Sequence, residues 1–416
     1  MMKSTTLELK FNKSKLTGQQ LLEIEEKFRQ YSDLDISLRV NVLSYSHTDL
    51  FAHVLNLFVR CNVHKVLKFS VSQLLDFLID VADKYTEAPY HTFYHAVDIV
   101  TILYYICHDL DADMYLTDLD KSILLVAALC HDIGHPGFTN SFQINTKTEL
   151  AEKYGKMSTL EAYSVHLTVQ LLNKHNTAHC HVIRDTIKDL ILSTDMAYHS
   201  ELAEQAKHLS TLTSPAHLSR EERTSLCRIL LHAADISNMA RPWVISKQWS
   251  DLIIQEFFSQ GDEEKKRKVA VSPGMDREVN SQQSISLKFG QHILPYFQTL
   301  VSLLPKSHVF VDFLVANRTE WECLDQHDQP ATIRRISSDI RATSNTAATI
   351  NSVPYKRIRS GFRSNSFPTV LYHSHYQSNV IIEKNNLLPL VNFKSSLLYD
   401  TSKPIEPIVL YHPHDS

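Results

Sequence analysis

Hydrophobic positions recur at helical spacing through most of the chain. Within residues 50–83 they lie three or four apart, and no alternating strand pattern is visible. An unbroken apolar run at residues 123–130 predicts a helix buried on all sides. Only 8 of the 416 residues are glycine, which favours helices with few tight turns. The predicted fold class is all-α.

The hydrophobic pattern divides the chain into three parts. Residues 1–45 are polar, with one helical pattern near residues 19–31, and are interpreted as an N-terminal lead-in. Residues 46–325 carry the helical periodicity of a single large domain. Residues 326–416 are richer in Ser and Asn, and we expect a polar, partly disordered tail because much of such a segment buries too little apolar surface to offset its ordering entropy.

Composition and charge narrow the class of protein. With a formal net charge of −4, affinity for nucleic acid is not expected. Six dispersed cysteines without a CxxC pair indicate reduced thiols. Neither a secretory signal nor an apolar run of about 20 residues that could span a membrane is found, and the predicted location is the cytoplasm.

Several histidines and acids lie in or beside apolar helical runs. His91 and His95 are four positions apart, so on a helix both imidazoles would share one face, and one could hold a metal while the other acts beside it. The run at 123–130 ends at His131 and Asp132, which are adjacent nitrogen and oxygen donors. Borderline cations such as zinc favour this mixed set. A buried carboxylate in a further apolar run, Asp235, completes the predicted metal site.

Four motifs, in this order and spacing, resemble the class I cyclic nucleotide phosphodiesterases. The resemblance covers about residues 50–321, and Gly134 makes it most similar to the fungal high-affinity cAMP enzymes. It implies a compact multi-helix catalytic domain of the HD type that hydrolyses cAMP to 5′-AMP and so ends a cAMP signal. The motifs are YHTFYHAVD at 90–98, HDIGHPGFTN at 131–140, HAADISN at 232–238 and EFFSQGD at 256–262.

The resemblance also implies two divalent metal ions. The first, expected to be zinc, would be held by His95, His131, Asp132 and Asp235. Asp132 would bridge to the second ion, expected to be magnesium, with manganese as an alternative.

Roles for four further residues follow from the same resemblance. His91 would donate a proton to the 3′ oxygen of the substrate, and Glu161 would orient His91 by hydrogen bonding. His135 and Asp195 match positions that hold metal-bound water molecules.

For the base, the resemblance predicts an aromatic clamp. Phe289 would stack on the purine, and Ile253 and Phe257 would form the opposite wall. Tyr90 and Asn238 are expected to border the same pocket.

Some positions depart from the family pattern. Tyr163 and Ser164 replace a pair of histidines, so one support of the second metal is expected to be missing. Ser286 stands where a purine-reading glutamine is usual. Gln283 is the expected substitute, with Gln291 as an alternative, because a side-chain amide can both donate to and accept from a purine edge.

A basic motif in the tail predicts a modification site. Arg334 and Arg335 precede Ser337 in the arrangement that basophilic kinases favour, including the cAMP-dependent kinase, which is therefore a predicted partner.

Two other functions stay open on sequence alone. One is an HD-type phosphohydrolase of non-cyclic nucleotides. The other is a nucleotide-binding scaffold with impaired turnover, which Ser164 and Ser286 would suit.

Overall fold

The computed structural model describes residues 16–31, 35–175, 181–212 and 218–328, and this part of the chain is helical without a β-strand. The all-α prediction is confirmed. The predicted tail beyond residue 328 and the predicted phosphorylation site Ser337 lie outside the described residues. The α-helices are α1 Gly18–Gln30, α2 His47–Arg60, α3 Val63–Val66, α4 Val71–Ala82, α5 Phe93–His108, α6 Asp118–Cys130, α7 Asn140–Asn145, α8 Glu149–Tyr154, α9 Thr159–Lys174, α10 His181–Leu192, α11 His199–Ser210, α12 Arg220–Asp235, α13 Trp243–Lys266, α14 Gln282–Leu303 and α15 His308–Asp328.

Local sequence sets where many of these helices begin. In five of them a Ser or Thr side chain accepts the backbone N–H three residues later, and the residue there returns a hydrogen bond to the cap. Such capping boxes satisfy N–H groups that a helix start leaves without partners. The pairs are Thr17 with Gln20, Ser46 with Asp49, Ser70 with Gln73, Thr117 with Asp120, and Ser219 with Glu222.

Helices α5 and α6 form the centre of the core. Nearly every residue of α5 is buried, and α5 packs against α2, α6 and α12. The apolar run at 123–130 is buried throughout, as the sequence predicted. The ends of α6 and α12 and the first turn of α5 therefore belong to rigid, well-packed elements, which is the support that a precise site requires. No helix in the described ranges is both long and apolar enough to cross a membrane.

The described part of residues 1–45 is more than a lead-in. Helix α1 packs on α2, and four apolar side chains of this segment are buried in the same core as α5. The hydrophobic pattern did not predict this packing, because the buried residues are few and are widely spaced among polar ones. They are Ile24, Ile36, Leu38 and Val42.

We expect a chain that begins at Ser46 to lose its cooperative fold. Burying one such side chain contributes about 1.5–3 kcal/mol, so four contribute about 6 kcal/mol or more, which is similar to the whole stability of a typical domain. Thermal unfolding followed by circular dichroism checks this. A chain that begins at Leu16 keeps all four residues and is the control. An unchanged melting temperature in the shorter chain would contradict the expectation.

Candidate active site

Four side chains from three core helices converge on one point. His95 lies in the first turn of α5, His131 and Asp132 follow the last residue of α6, and Asp235 ends α12. One ligand atom from each lies within 4.8 Å of the others. The structure therefore brings together all four residues that the sequence predicted as metal ligands.

Hydrogen bonds around the cluster fit a bound cation. His131 Nδ1 donates to the Ala128 carbonyl at 2.8 Å, so its Nε2 is left as the coordinating nitrogen. That Nε2 is buried without a hydrogen-bond partner, 2.9 Å from Asp132 Oδ2 and 3.3 Å from Asp235 Oδ1. His95 Nε2 lies 3.0 Å from Asp235 Oδ1. Two imidazole nitrogens and two carboxylates are a donor set that suits a divalent ion of the zinc type.

His91 lies beside this cluster but not on α5. The helix begins at Phe93, and the backbone N–H groups of Tyr90 and His91 instead donate to Glu256 Oε1, at 2.7 and 2.9 Å. The other carboxylate oxygen of Glu256 accepts from His91 Nδ1 at 2.6 Å. Glu256 thus holds the Nδ1 side of the imidazole, and Nε2 on the opposite side of the ring is left for the substrate. His91 and His95 are still neighbours, with ring centroids 5.8 Å apart.

The partner of His91 is Glu256 and not the predicted Glu161. The Asn140 amide donates to both carboxylate oxygens of Glu161, at 3.2 and 2.9 Å, which fixes Glu161 elsewhere. Burial raises the pKa of Glu161 to about 8, and nearby Asp195 adds to this effect. The expectation that Glu161 orients His91 by hydrogen bonding is therefore wrong, because Glu256 makes that contact. One sequence signal for Glu256 exists, because it is an acid in a helical stretch with the apolar residues Ile254 and Phe257 close by.

Charges set the protonation of the three groups around His91. Burial alone would lower the pKa of His91, but the Glu256 carboxylate and Asp132 outweigh it and raise that pKa. For Glu256, burial would raise the pKa, and His91 more than offsets this to lower it to about 2. His135 stacks on His91 with ring centroids 3.8 Å apart, and burial and the charge on His91 lower its pKa to about 3. His91 thus lies between a carboxylate that favours its charged form and a His135 ring that burial keeps neutral.

The predicted base pocket draws on α13 and α14. Ile253, Phe257 and Phe289 are half-buried, which leaves surface that a base could cover. The Ser250 and Ser286 hydroxyls join the two helices at 2.8 Å.

A side-chain amide also lies at the contact between α13 and α14, and it belongs to Gln282. Its Nε2 donates to Ser250 Oγ at 3.0 Å and to Asp251 Oδ1 at 2.7 Å. Gln283 is half-buried, and its predicted contact with the base stays a prediction.

Comparison with protein families shows which family the chain belongs to. The model of the family described as 3′5′-cyclic nucleotide phosphodiesterase matches residues 90–314, more than half of the chain. The chain belongs to this family. The match begins at Tyr90, beside the proposed acid, and extends past the whole metal cluster.

Individual phosphodiesterases show the same likeness. The chain is 31% identical over 296 residues to the 3′,5′-cyclic-nucleotide phosphodiesterase regA of Dictyostelium discoideum, which covers 68% of this chain and 37% of that protein. It is 31% identical over 351 residues to the high affinity cGMP-specific 3′,5′-cyclic phosphodiesterase 9A of Drosophila melanogaster, covering 79% and 22%. The chain thus spans well under half of either relative. These matches support the family and do not single out fungal cAMP enzymes.

Solved phosphodiesterase structures share the fold. LmjPDEB1 in complex with IBMX aligns with a TM-score of 0.66 at 26% identity, covering 74% of this chain and 98% of that one. The phosphodiesterase domain of Salpingoeca rosetta rhodopsin phosphodiesterase aligns with a TM-score of 0.66 at 26% identity, covering 75% and 97%.

The two departures from the phosphodiesterase pattern on α9 have structural roles. The Ser164 hydroxyl donates to the Ile133 carbonyl at 3.0 Å, next to the ligand segment. Gly134 has a φ of +79°, and a Cβ built on it would lie 2.7 Å from Tyr163 Cε1 and 2.6 Å from Leu167 Cδ1. Tyr163 therefore fills space that a side chain at residue 134 would need.

Replacing Glu256 by glutamine is expected to shift the pH dependence of this phosphodiesterase. The carboxylate favours charged His91, so without it the pKa of His91 falls and the acid form is lost at lower pH. The alkaline limb of kcat/KM against pH should therefore move to lower pH, and turnover at pH 7 should fall about tenfold or more, as for a lost charge-assisted hydrogen bond. An unmoved alkaline limb would mean that Glu256 does not control the protonation of His91.

Proposed function

We propose that this chain hydrolyses a 3′,5′-cyclic nucleotide to the 5′-monophosphate. The observation that carries the proposal is the position of His91, held by buried Glu256 at 2.6 Å beside a four-residue metal cluster. A phosphodiester resists attack because of its negative charge and its poor alkoxide leaving group. A cation cluster and an adjacent acid address both obstacles.

His95, His131, Asp132 and Asp235 would hold the first ion, and Asp132 would also face the second. We propose zinc and magnesium for them, with manganese as an alternative to magnesium. The ions would lower the pKa of a bound water molecule and would neutralise the negative charge of the phosphate.

The proton for the leaving group comes from His91. Water adds to phosphorus and releases one proton to solvent, and the bond from phosphorus to the 3′ oxygen breaks. His91 Nε2 gives its proton to that oxygen and later takes up a proton from solvent. Nδ1 keeps its hydrogen bond to Glu256 throughout, so the ring stays oriented as its charge is lost. His135, neutral and stacked on His91, restricts the ring on its other side. In this proposal Glu161 and Asp195 support the water molecules near the ions.

The base is proposed to lie between Phe289 and the α13 residues Ile253 and Phe257. The resemblance to fungal enzymes implies cAMP, whereas similar proteins include cGMP-specific enzymes. Gln283, or Gln282 at the contact between the helices, would read the purine edge.

Measuring kcat/KM for cAMP and for cGMP on the metal-loaded protein tests the function and the base preference together. A higher value for cAMP is the expected result. Release of the 3′-monophosphate instead of the 5′-monophosphate would contradict the assigned leaving group.

The same assay separates the alternatives. Hydrolysis of linear nucleotides without hydrolysis of cyclic ones would favour the HD-type phosphohydrolase. Metal bound without any turnover would favour the scaffold, for which the replaced residues Ser164 and Ser286 are the motivating observation.

A further inference from the structure

A buried network centred on Arg241 joins the N-terminal segment to the interior. Arg241 is fully buried, and its Nη1 donates to both carboxylate oxygens of Asp98 at 3.0 Å. Its Nε donates to the Leu38 carbonyl at 2.9 Å, and its Nη2 donates to the Val40 carbonyl at 2.5 Å. One guanidinium thus holds both the carboxylate on α5 and, within residues 35–45, the backbone at Leu38 and Val40.

From Asp98 the network continues to the active site. The Asn238 amide donates to Asp98 Oδ2 at 2.9 Å, and the Asn238 carbonyl oxygen accepts from the Tyr90 hydroxyl. The ring centroid of Tyr90 lies 4.8 Å from that of His91 and 4.6 Å from that of His95. The last member of the network therefore packs on both the proposed acid and a metal ligand.

A second set of contacts holds the backbone that carries Asn238 and Arg241. The Asn317 amide, from α15, donates to the Met239 carbonyl at 2.9 Å and to the Arg241 carbonyl at 2.8 Å. Asn317 is itself buried. The short segment after α12 is thus fixed from two sides, and its side chains have little freedom to choose other partners.

Stability alone is a poor explanation for this arrangement. Asp98 and Arg241 are both fully buried, and removing two charges from water costs energy that their attraction barely returns. What the pair achieves is orientation. With its nitrogen held by Asp98 and its oxygen by Tyr90, the Asn238 amide has one defined orientation at the substrate site.

We propose that Arg241 and Asp98 are positioning residues that couple residues 35–45 to the substrate site through Asn238 and Tyr90. This inference rests on the proposed function, since it assigns Asn238 and Tyr90 to the pocket. Loss of the network is expected to weaken nucleotide binding while the metal ligands stay in place, because neither residue belongs to the ligand set.

The test compares full-length Arg241→Met, Arg241→Lys and the double variant Arg241→Met with Asp98→Leu. In Arg241→Met we expect KM to rise about tenfold, as for one lost hydrogen bond to a charged group, with the metal content unchanged. Arg241→Lys keeps the charge but cannot reach all the acceptors, so a smaller rise is expected. It also provides a readout if Arg241→Met does not fold.

The double variant separates positioning from stability. Replacing both charges by apolar groups should restore the melting temperature but not KM, because the Asn238 amide then has no carboxylate of Asp98 to donate to. A KM that recovers together with the melting temperature would overturn the proposal, as would an unchanged KM in both single variants. Leu55→Ala, a cavity in α2, is the control that lowers the melting temperature with KM unchanged.

Wild-type turnover and nucleotide binding keep the two proposals distinguishable. If the wild type hydrolyses no cyclic nucleotide, the proposed function fails on its own. Calorimetric titration of the metal-loaded variants with 5′-AMP and 5′-GMP then still tests the network, because a binding constant weakened about tenfold in Arg241→Met supports positioning, and an equal constant refutes it.

Discussion

Asp235→Ala is expected to remove bound metal and turnover together. Asp235 ends α12 with one oxygen 3.0 Å from His95 Nε2 and 3.3 Å from His131 Nε2, so its loss leaves two buried imidazoles without the shared anion. Because metal-assisted charge neutralisation contributes several kcal/mol to catalysis, turnover should fall by at least about 1,000-fold. Metal content by elemental analysis and hydrolysis of cyclic nucleotide are measured on the same sample.

A matched variant controls for the loss of a carboxylate as such. Asp189 on α10 pairs with Arg228 through two hydrogen bonds of 2.8 Å, outside the metal cluster. Asp189→Ala should keep its metal and its turnover. If Asp235→Ala retained the wild-type metal content, the assignment of Asp235 as a ligand would be wrong.

His91→Ala has the second large expected effect, and it differs in kind. Metal content should stay at the wild-type level, while turnover of the cyclic substrate falls by about 100- to 10,000-fold, the usual contribution of a general acid. The reason is that His91 contacts Glu256 and packs beside the cluster without belonging to it. Metal analysis and turnover are again measured together.

The leaving group makes this prediction specific. A nitrophenyl phosphodiester releases a stable anion that needs no proton, so His91→Ala should lose far less activity on it than on the cyclic nucleotide. An equal loss on both substrates, or a loss of metal as large as in Asp235→Ala, would remove His91 from its assigned role.

The convergence of His95, His131, Asp132 and Asp235 could be predicted from sequence because each lies in or beside an apolar helix. A polar side chain in such a run requires a partner, and mixed imidazole and carboxylate donors specify a cation. The helix ends that bring His131 and Asp235 together are in turn fixed by the hydrophobic pattern of the core helices.

The Glu256 contact could not be predicted in the same way. It joins residues separated by 165 positions, and family resemblance suggested a different acid. The contact also explains why His91 lies before α5 and not on it, because Glu256 accepts from the backbone N–H groups of Tyr90 and His91. Tertiary contacts of this kind can set the first residue of a helix, and they cannot be predicted from the local sequence.

The N-terminal segment shows the same limit at larger scale. Ile36 and Leu38 have no periodic pattern around them, yet both are buried, and the Leu38 carbonyl accepts from the distant Arg241. A segment that is held in place by contacts with one distant guanidinium can have the amino-acid composition of a linker.

Tyr163 and Gly134 have an evolutionary consequence. Because the phenol ring occupies the volume that a Cβ at residue 134 would enter, mutations at the two positions are expected to be epistatic. A larger residue at 134 collides with the ring, and a smaller residue at 163 opens a void beside Leu167. Lineages in which residue 134 changes are expected to change residue 163 as well. A library aimed at restoring a histidine at position 163 should therefore randomise both codons at once.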